Sequence, residues 1–120
     1  MGDPVEVDQK KKLFTFEEAN RVLPSVKKMT VEAIEQAGSL ILQIESLSQE
    51  DERRANLDDE LNAIVDKWVE KVQRLGARPK GLWLIDFDNG EGYYCWKHPE
   101  SHIQHVHTYE GDFTTRQKIN

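Results

Sequence analysis

The hydrophobic period of this chain changes once, after Pro79, and that change limits the folds open to it. Before Pro79, apolar residues return every three or four positions, as in an amphipathic helix. After Pro79 they alternate, as in a half-buried strand. A chain of 120 residues has room for one domain, so we interpret residues 1–13 as a flexible polar leader and residues 14–120 as a single α+β domain.

The first helix is predicted from its start signal. Thr15 and Glu18 have the spacing of a capping box, in which each side chain accepts a hydrogen bond from the other residue's backbone N–H. Pro24 follows about two turns later and lacks a backbone N–H, so we expect a kink or a restart near Leu23. Beyond it, apolar residues recur in a heptad-like seam from Ala33 to Leu47.

A second helix is predicted from about Leu57 to Leu75, with Gly76 as a left-handed terminator. The polar stretch from Ser48 to Ala55 connects the two helices into an antiparallel hairpin. The apolar groove of such a hairpin must close on a sheet, on a second copy of the chain, or on both. The seam on the first helix is long for one partner helix, so we expect a homodimer.

Two strands are predicted at Leu82–Phe87 and Gly92–Lys97, where aromatic and aliphatic residues alternate with others. Between them, Asn89-Gly90 is typical of the two central residues of a type I′ hairpin turn. With that turn, Asp86 would pair with Tyr93.

The two faces of this hairpin differ in character. The core face is predicted to carry Trp83, Ile85, Phe87, Tyr94 and Trp96. The other face is predicted to carry Leu82, Leu84, Asp86, Tyr93, Cys95 and Lys97. A third strand from His102 to His107 completes a small three-stranded antiparallel sheet, packed against the helical hairpin. No element is assigned to the tail from Tyr109 to Asn120.

Composition excludes several classes of function. Lysine and arginine number 16 against 22 aspartate and glutamate, a net charge of −6, which argues against nucleic acid as a partner. The single cysteine excludes an intrachain disulfide and indicates a reducing compartment. No apolar run is long enough to cross a bilayer, and no signal peptide is recognisable. We therefore expect a cytoplasmic protein that binds neither nucleic acid nor membrane.

Histidines and carboxylates gather near the end of the chain. All four histidines lie between His98 and His107, and such ligands on adjacent strands suit a divalent Fe, Mn or Zn ion. Asp86 lies in an apolar strand, where a carboxylate is unfavourable unless it is paired or bound to metal. The other interpretation also stands: the histidines are solvated or bonded to backbone carbonyls, and Asp86 faces solvent or caps the next turn. Cys95 is a ligand, a nucleophile or a small buried hydrophobe.

Several sequence motifs are shared with a known family. They are Phe14-Thr15-Phe16-Glu17-Glu18-Ala19-Asn20, Leu23-Pro24, Asp86-Phe87, Cys95-Trp96-Lys97, Glu100, Ile103, His107, Phe113 and Arg116. In these motifs the chain resembles the bacterial domain of unknown function 2203. The resemblance implies that the recurring polar positions of the family fall on Asp86, Glu100 and His107.

Two functions of different classes follow from these residues. The first is a metal-binding protein, of which a small metalloenzyme is one form, and its candidate ligands are Asp86, Glu100, His107, His105 and Glu18. Arg116 and Cys95 would lie beside the ligands, and Arg116 would orient them or hold an anion. The second is a non-catalytic interaction module, in which Glu100 and Arg116 form a salt bridge and His107 bonds a backbone carbonyl.

Overall fold

A computed structural model describes residues 12–119 and confirms the α+β class. Its elements are α1 (Phe16–Glu45), α2 (Arg53–Arg74), β1 (Arg78–Gly81), β2 (Leu84–Asp88), β3 (Gly92–Lys97), β4 (His105–Thr108), a short 3₁₀ helix (Phe113–Thr115) and β5 (Gln117–Lys118). Most of the leader predicted at 1–13 lies outside the described residues. Within them, no helix is long and apolar enough to cross a membrane.

The sheet has five antiparallel strands in the order β1-β2-β3-β4-β5, so the predicted count of three is wrong. The two additional strands, β1 and β5, are the short edges of the sheet. Their sequences, Arg-Pro-Lys-Gly and Gln-Lys, are too short and too polar to carry an alternating pattern. The third predicted strand is also shorter, since β4 begins at His105.

Helix α1 starts at the predicted capping box and runs without interruption. Thr15 Oγ1 accepts the N–H of Glu18 at 3.0 Å, and Glu18 Oε1 accepts the N–H of Thr15 at 2.9 Å. Pro24 lies inside the helix, so the restart expected there does not occur. The proline is exposed, while Leu23 and Val26 beside it are buried in the core. Core packing on both sides of Pro24 therefore supports a helix that continues through the proline.

Asp51 and Arg54 form hydrogen bonds with backbone groups where α1 ends and α2 begins. Asp51 Oδ1 accepts the N–H of Arg53 at 2.9 Å, so α2 begins several residues earlier than its apolar stripe predicts. Arg54 donates to the carbonyls of Ile44 and Leu47 at 2.8 and 3.0 Å, which caps the end of α1. Gly76, at φ +90°, follows α2 in the predicted left-handed conformation.

One face of the sheet packs on the helical hairpin. Ile85, Phe87 and Trp96 are fully buried in a single core that also contains residues of both helices. At its centre Trp68 Nε1 donates to the hydroxyl of Thr30 at 2.9 Å, so the indole N–H is satisfied inside the core.

The β2–β3 turn differs from its prediction by two residues of register. Asn89 Oδ1 accepts the N–H groups of Glu91 and Gly92, both at 2.9 Å, and Asn89 N donates to the Gly92 carbonyl. The central residues are therefore Gly90, at φ +92°, and Glu91, rather than Asn89-Gly90. A shift of two residues keeps the paired side chains of the two strands on their predicted faces. It also replaces the Asp86–Tyr93 pair with Asp86 opposite Cys95. The first of these strands begins at Leu84 rather than at Leu82, because Trp83, at φ +67°, lies in a turn before it.

The tail covers part of the polar face of the sheet. Ile119 N donates to the Gln104 carbonyl at 2.7 Å, and β5 pairs with β4. Arg116 packs its guanidinium 4.3 Å from the centroid of the Phe113 ring. The sheet is therefore covered by helices on one face and by its own tail on the other.

Candidate metal centre

Three potential metal ligands meet on the polar face of the sheet. Asp86 lies on β2, Cys95 on β3 and His107 on β4, and one donor atom from each lies within 4.8 Å of the others. The three residues are 2%, 0% and 8% exposed. They come together because the register places Asp86 opposite Cys95, while the imidazole of His107 reaches towards them from the far side of β3.

Both ring nitrogens of His107 are engaged. Nδ1 lies 2.8 Å from the carbonyl oxygen of Thr108, and Nε2 lies 3.0 Å from Asp86 Oδ2. A carbonyl can only accept, so Nδ1 carries a proton and Nε2 faces the carboxylate. Without a further positive group, two hydrogen-bond acceptors, Nε2 and Oδ2, would face each other at 3.0 Å. Their contact therefore requires either a second proton on the pair or a cation bound to both atoms. With no free nitrogen, His107 has no direct way to take a proton from a substrate.

The second oxygen of Asp86 has no hydrogen-bond partner. Its Oδ1 is buried, and none of the residues 12–119 donates to it. A buried carboxylate oxygen without a donor costs about 1–3 kcal/mol or more, and native structures contain few of them. The unpartnered oxygen therefore points to a positive group that residues 12–119 do not supply.

Cys95 is held as a neutral thiol. Burial raises its pKa to about 12, and the neighbouring Asp86 carboxylate adds to the rise. Arg116 Nη1 lies 3.9 Å from the sulfur and acts in the opposite direction, but it does not overcome burial. A reactive cysteine needs a lowered pKa, so this arrangement does not suit an activated nucleophile. A bound cation would deprotonate the thiol outright.

Glu100 belongs to a second cluster next to the first. Its two oxygens accept from Arg116 at 3.1 and 2.6 Å, and Oε1 also accepts the Lys97 N–H at 2.9 Å. Burial by itself would raise the pKa of Glu100, but the hydrogen bonds from Arg116 and Lys97 outweigh it and hold the pKa below 4.5. His105 Nδ1 lies 3.7 Å from the same carboxylate. Glu100 is thus committed to bonds within the chain.

The residues singled out in the sequence therefore fall into three groups. Asp86 and His107 lie together with Cys95, which the sequence placed beside the ligands and also left open as a ligand, a nucleophile or a small buried hydrophobe. Glu100, His105 and Arg116 form the neighbouring cluster, and Glu18 is engaged in the capping box of α1. The sequence predicted that Cys95 and Asp86 share one face of the β2–β3 hairpin. In the observed register the two residues lie directly opposite each other. The ligand roles themselves stay predictions.

A cleft of about 320 Å³ opens beside the three potential ligands. Asp86 and His107 line it, whereas Cys95 does not, so the cleft reaches the group from the side opposite the sulfur. Its other lining residues include Lys80, Tyr93, Tyr109 and Phe113. An ion held by the three ligands would have its remaining coordination position towards this cleft.

A family described as "Uncharacterized conserved protein (DUF2203)" matches residues 12–119. The chain belongs to this family. The match takes in both helices and all five strands, and therefore all three potential ligands. No curated protein and no solved structure matches the chain significantly.

Proposed function

We propose that this protein binds a divalent transition metal through Asp86, Cys95 and His107. The observation that carries the proposal is the buried, unpartnered Oδ1 of Asp86 within a group of three ligand types. The carbonyl of Thr108 supports it, because it fixes the His107 proton on Nδ1 and leaves Nε2 directed at the site. Metal-binding histidines commonly donate their other ring N–H to such a group.

Zinc fits this set of ligands best. A thiolate is a soft ligand that favours Zn over Mn, and imidazole and carboxylate also suit Zn. The charges balance as well, since one thiolate and one carboxylate neutralise a divalent cation. Arg116, 3.9 Å from the sulfur, supplies a donor that would stabilise the thiolate once the metal is bound.

Three protein ligands leave a tetrahedral ion with one open position, which is the arrangement of catalytic rather than structural zinc sites. Such an ion supplies activation of a bound water or polarisation of a carbonyl group. In this chain Asp86 and His107 would hold the ion at the floor of the cleft, and Cys95 would hold it from behind. Glu100 and Arg116 would fix the tail and orient the thiolate.

The test is metal binding by protein that carries no His-tag. Elemental analysis after purification without chelator measures the resident metal, and titration of the metal-free protein with Co²⁺ identifies the ligands. We expect equimolar Co²⁺ uptake with a thiolate-to-cobalt charge-transfer band in the near ultraviolet. Cys95→Ser should lose that band, and His107→Ala should lose uptake.

His102→Ala is the matched control, because His102 is an exposed imidazole on the loop before β4 and lies outside the group of three. It should bind Co²⁺ as the unmodified protein does. Folded protein that takes up no metal, or equal loss of binding in His102→Ala, would overturn the proposal.

A second candidate, the interaction module, is favoured by the bidentate Glu100–Arg116 pair. In that case the polar residues brace the tail, and the Asp86–His107 contact is a structural hydrogen bond. The His107→Ala protein separates the two candidates. A brace would lose stability by about 1–3 kcal/mol with no response to metal in either protein, whereas a ligand would lose metal uptake.

A further inference from the structure

Lys80 lies in a β-bulge beside the candidate metal centre. The pairing of β1 with β2 shifts by one residue between Pro79 and Gly81, so Lys80 is the extra residue. Bulges re-aim side chains and are frequent next to functional sites. Here the ammonium of Lys80 lies 5.7 Å from the centroid of the Tyr93 ring, which belongs to β3, and Lys80 lines the cleft. The bulge thus brings a cation from the sheet edge to the cleft.

Three aromatic rings contribute to the lining of the cleft. Tyr93 and Tyr109 pack edge to face with their centroids 5.1 Å apart, and Phe113 contributes another ring from the tail. A volume of about 320 Å³ is at the small end of ligand sites, which are mostly apolar with a few polar groups that fix orientation. This cleft therefore suits a small molecule with an apolar, preferably aromatic, body.

The charged residues around the cleft indicate which polar group such a molecule would carry. Lys80 takes part in no ion pair within residues 12–119, whereas Arg78, the other cation over Tyr93, lies 3.7 Å from the Asp88 carboxylate. Asp112, also on the lining, keeps its negative charge and accepts from Thr114. One available cation near fixed carboxylates favours a monoanion, because a dianionic phosphate would meet more repulsion than one ammonium offsets.

We propose that the cleft binds a small aromatic carboxylic acid, with its carboxylate paired to Lys80 and its ring against Tyr93, Tyr109 and Phe113. This inference rests on the proposed metal centre, because the ion would lie at the floor of the same cleft. It adds a substrate class to that centre: the acid is held so that its body faces the open coordination position.

Benzoate serves as the probe, and benzamide is its neutral control. Binding to the zinc-loaded protein is measured by NMR chemical-shift titration, with Lys80→Met as the test variant and Lys28→Met, an exposed lysine on α1, as the matched control. Loss of the charged hydrogen bond should weaken benzoate binding about three- to tenfold in Lys80→Met and leave it unchanged in Lys28→Met. Phe113→Ala should weaken both probes, since Phe113 contacts the ring rather than the acid group.

Co²⁺ titration of the same proteins keeps the two proposals apart. If Lys80→Met binds Co²⁺ normally and weakens benzoate alone, the inference is supported. If Co²⁺ binds but benzoate does not, or if benzoate binds equally to Lys80→Met, the substrate class is wrong and the metal centre stands. If Co²⁺ does not bind to the unmodified protein, the metal centre is wrong and this inference falls with it.

Discussion

Asp86 and His107 are bonded side chain to side chain although β3 lies between their strands. Asp86 pairs with Cys95 across one edge of β3, and His107 pairs with Tyr93 across the other, so the 3.0 Å contact runs diagonally over that strand. Both side chains are 3% exposed. Two titratable groups are thereby fixed in a buried position on the wall of the cleft.

The first prediction concerns the stability that metal adds. A ligand that binds only the folded state at a hundred times its Kd stabilises it by about 2.7 kcal/mol. Added Zn²⁺ should therefore raise the free energy of unfolding of the unmodified protein, measured by urea denaturation, by about this amount. Asp86→Asn should remove the gain, because an amide is a poor metal ligand.

Asp88→Asn is the matched control for that measurement. Asp88 is the other buried carboxylate of β2, but it accepts from Tyr109 at 2.7 Å and is not one of the three potential ligands. Its variant should lose some stability and still respond to Zn²⁺. An equal response of Asp86→Asn and the unmodified protein would contradict the ligand role of Asp86.

The second prediction concerns the reactivity of Cys95. Because its pKa is raised to about 12, the thiol in metal-free protein should react with a disulfide reagent far more slowly at mildly alkaline pH than the same protein in urea. The raised pKa also stabilises the folded state below the ordinary thiol pKa of 9.0, and this contribution should be lost as the pH rises from 9 towards 12. Cys95→Ser, which has no thiol, gives the blank. Rapid labelling of the folded protein would contradict the prediction.

The third prediction concerns the pH dependence that Glu100 imposes. Its pKa lies below 4.5 when folded, so the Glu100–Arg116 pair stabilises the protein above pH 4.5 and the stabilisation is lost as the pH falls below that value. Arg116→Ala leaves a half-buried carboxylate without its main partner and should cost about 1–3 kcal/mol at neutral pH.

Urea denaturation at neutral pH and below pH 4.5 checks this, with Arg53→Ala as the control. Arg53 pairs with Asp51 in an exposed contact, where removal should change little. The difference between Arg116→Ala and the unmodified protein should shrink at the lower pH. A constant difference would show that Arg116 acts through packing alone.

Much of the fold followed from the sequence, because long periodic segments are robust to local detail. The faces of β2 and β3 were right even though their register was wrong, since a two-residue shift preserves the alternation. The register itself depended on Asn89, whose side chain replaces a backbone acceptor in the turn. The Asn-Gly motif is the same whether asparagine is a central residue of the turn or the residue before it that accepts hydrogen bonds through its side chain. The motif therefore cannot decide the register.

The candidate site was predicted less completely, because its partners depend on contacts far apart in sequence. Asp86 and His107 were identified by residue type and location. Glu100 was placed with them, but its carboxylate bonds Arg116, sixteen residues further on, in a tail to which no element had been assigned. Both residues had been identified, and one interpretation had already paired them. Sequence alone could not decide between a metal and an arginine as the cation that Glu100 meets.

The last prediction concerns association of two chains through α1. The seam expected to form the dimer is covered within the chain, since Ala33, Ala37, Leu40 and Ile44 are buried. An adjacent apolar stripe on α1 remains uncovered, where Val31, Ile41 and Leu42 are 42%, 40% and 70% exposed. Gly38 lies between them, and a Cβ built there would meet no atom within 4 Å, so a second helix could approach closely.

We propose that this stripe pairs with its own copy on a second chain, which would bring the two helical hairpins into a four-helix arrangement. Sedimentation equilibrium should give twice the monomer mass, and Ile41→Glu should shift the equilibrium to monomer by placing a carboxylate in the contact. Gln43→Glu adds the same charge to an exposed position two residues along, on another side of the helix, and should remain dimeric. A monomeric unmodified protein, or an equal shift in both variants, would exclude this stripe as the dimer contact.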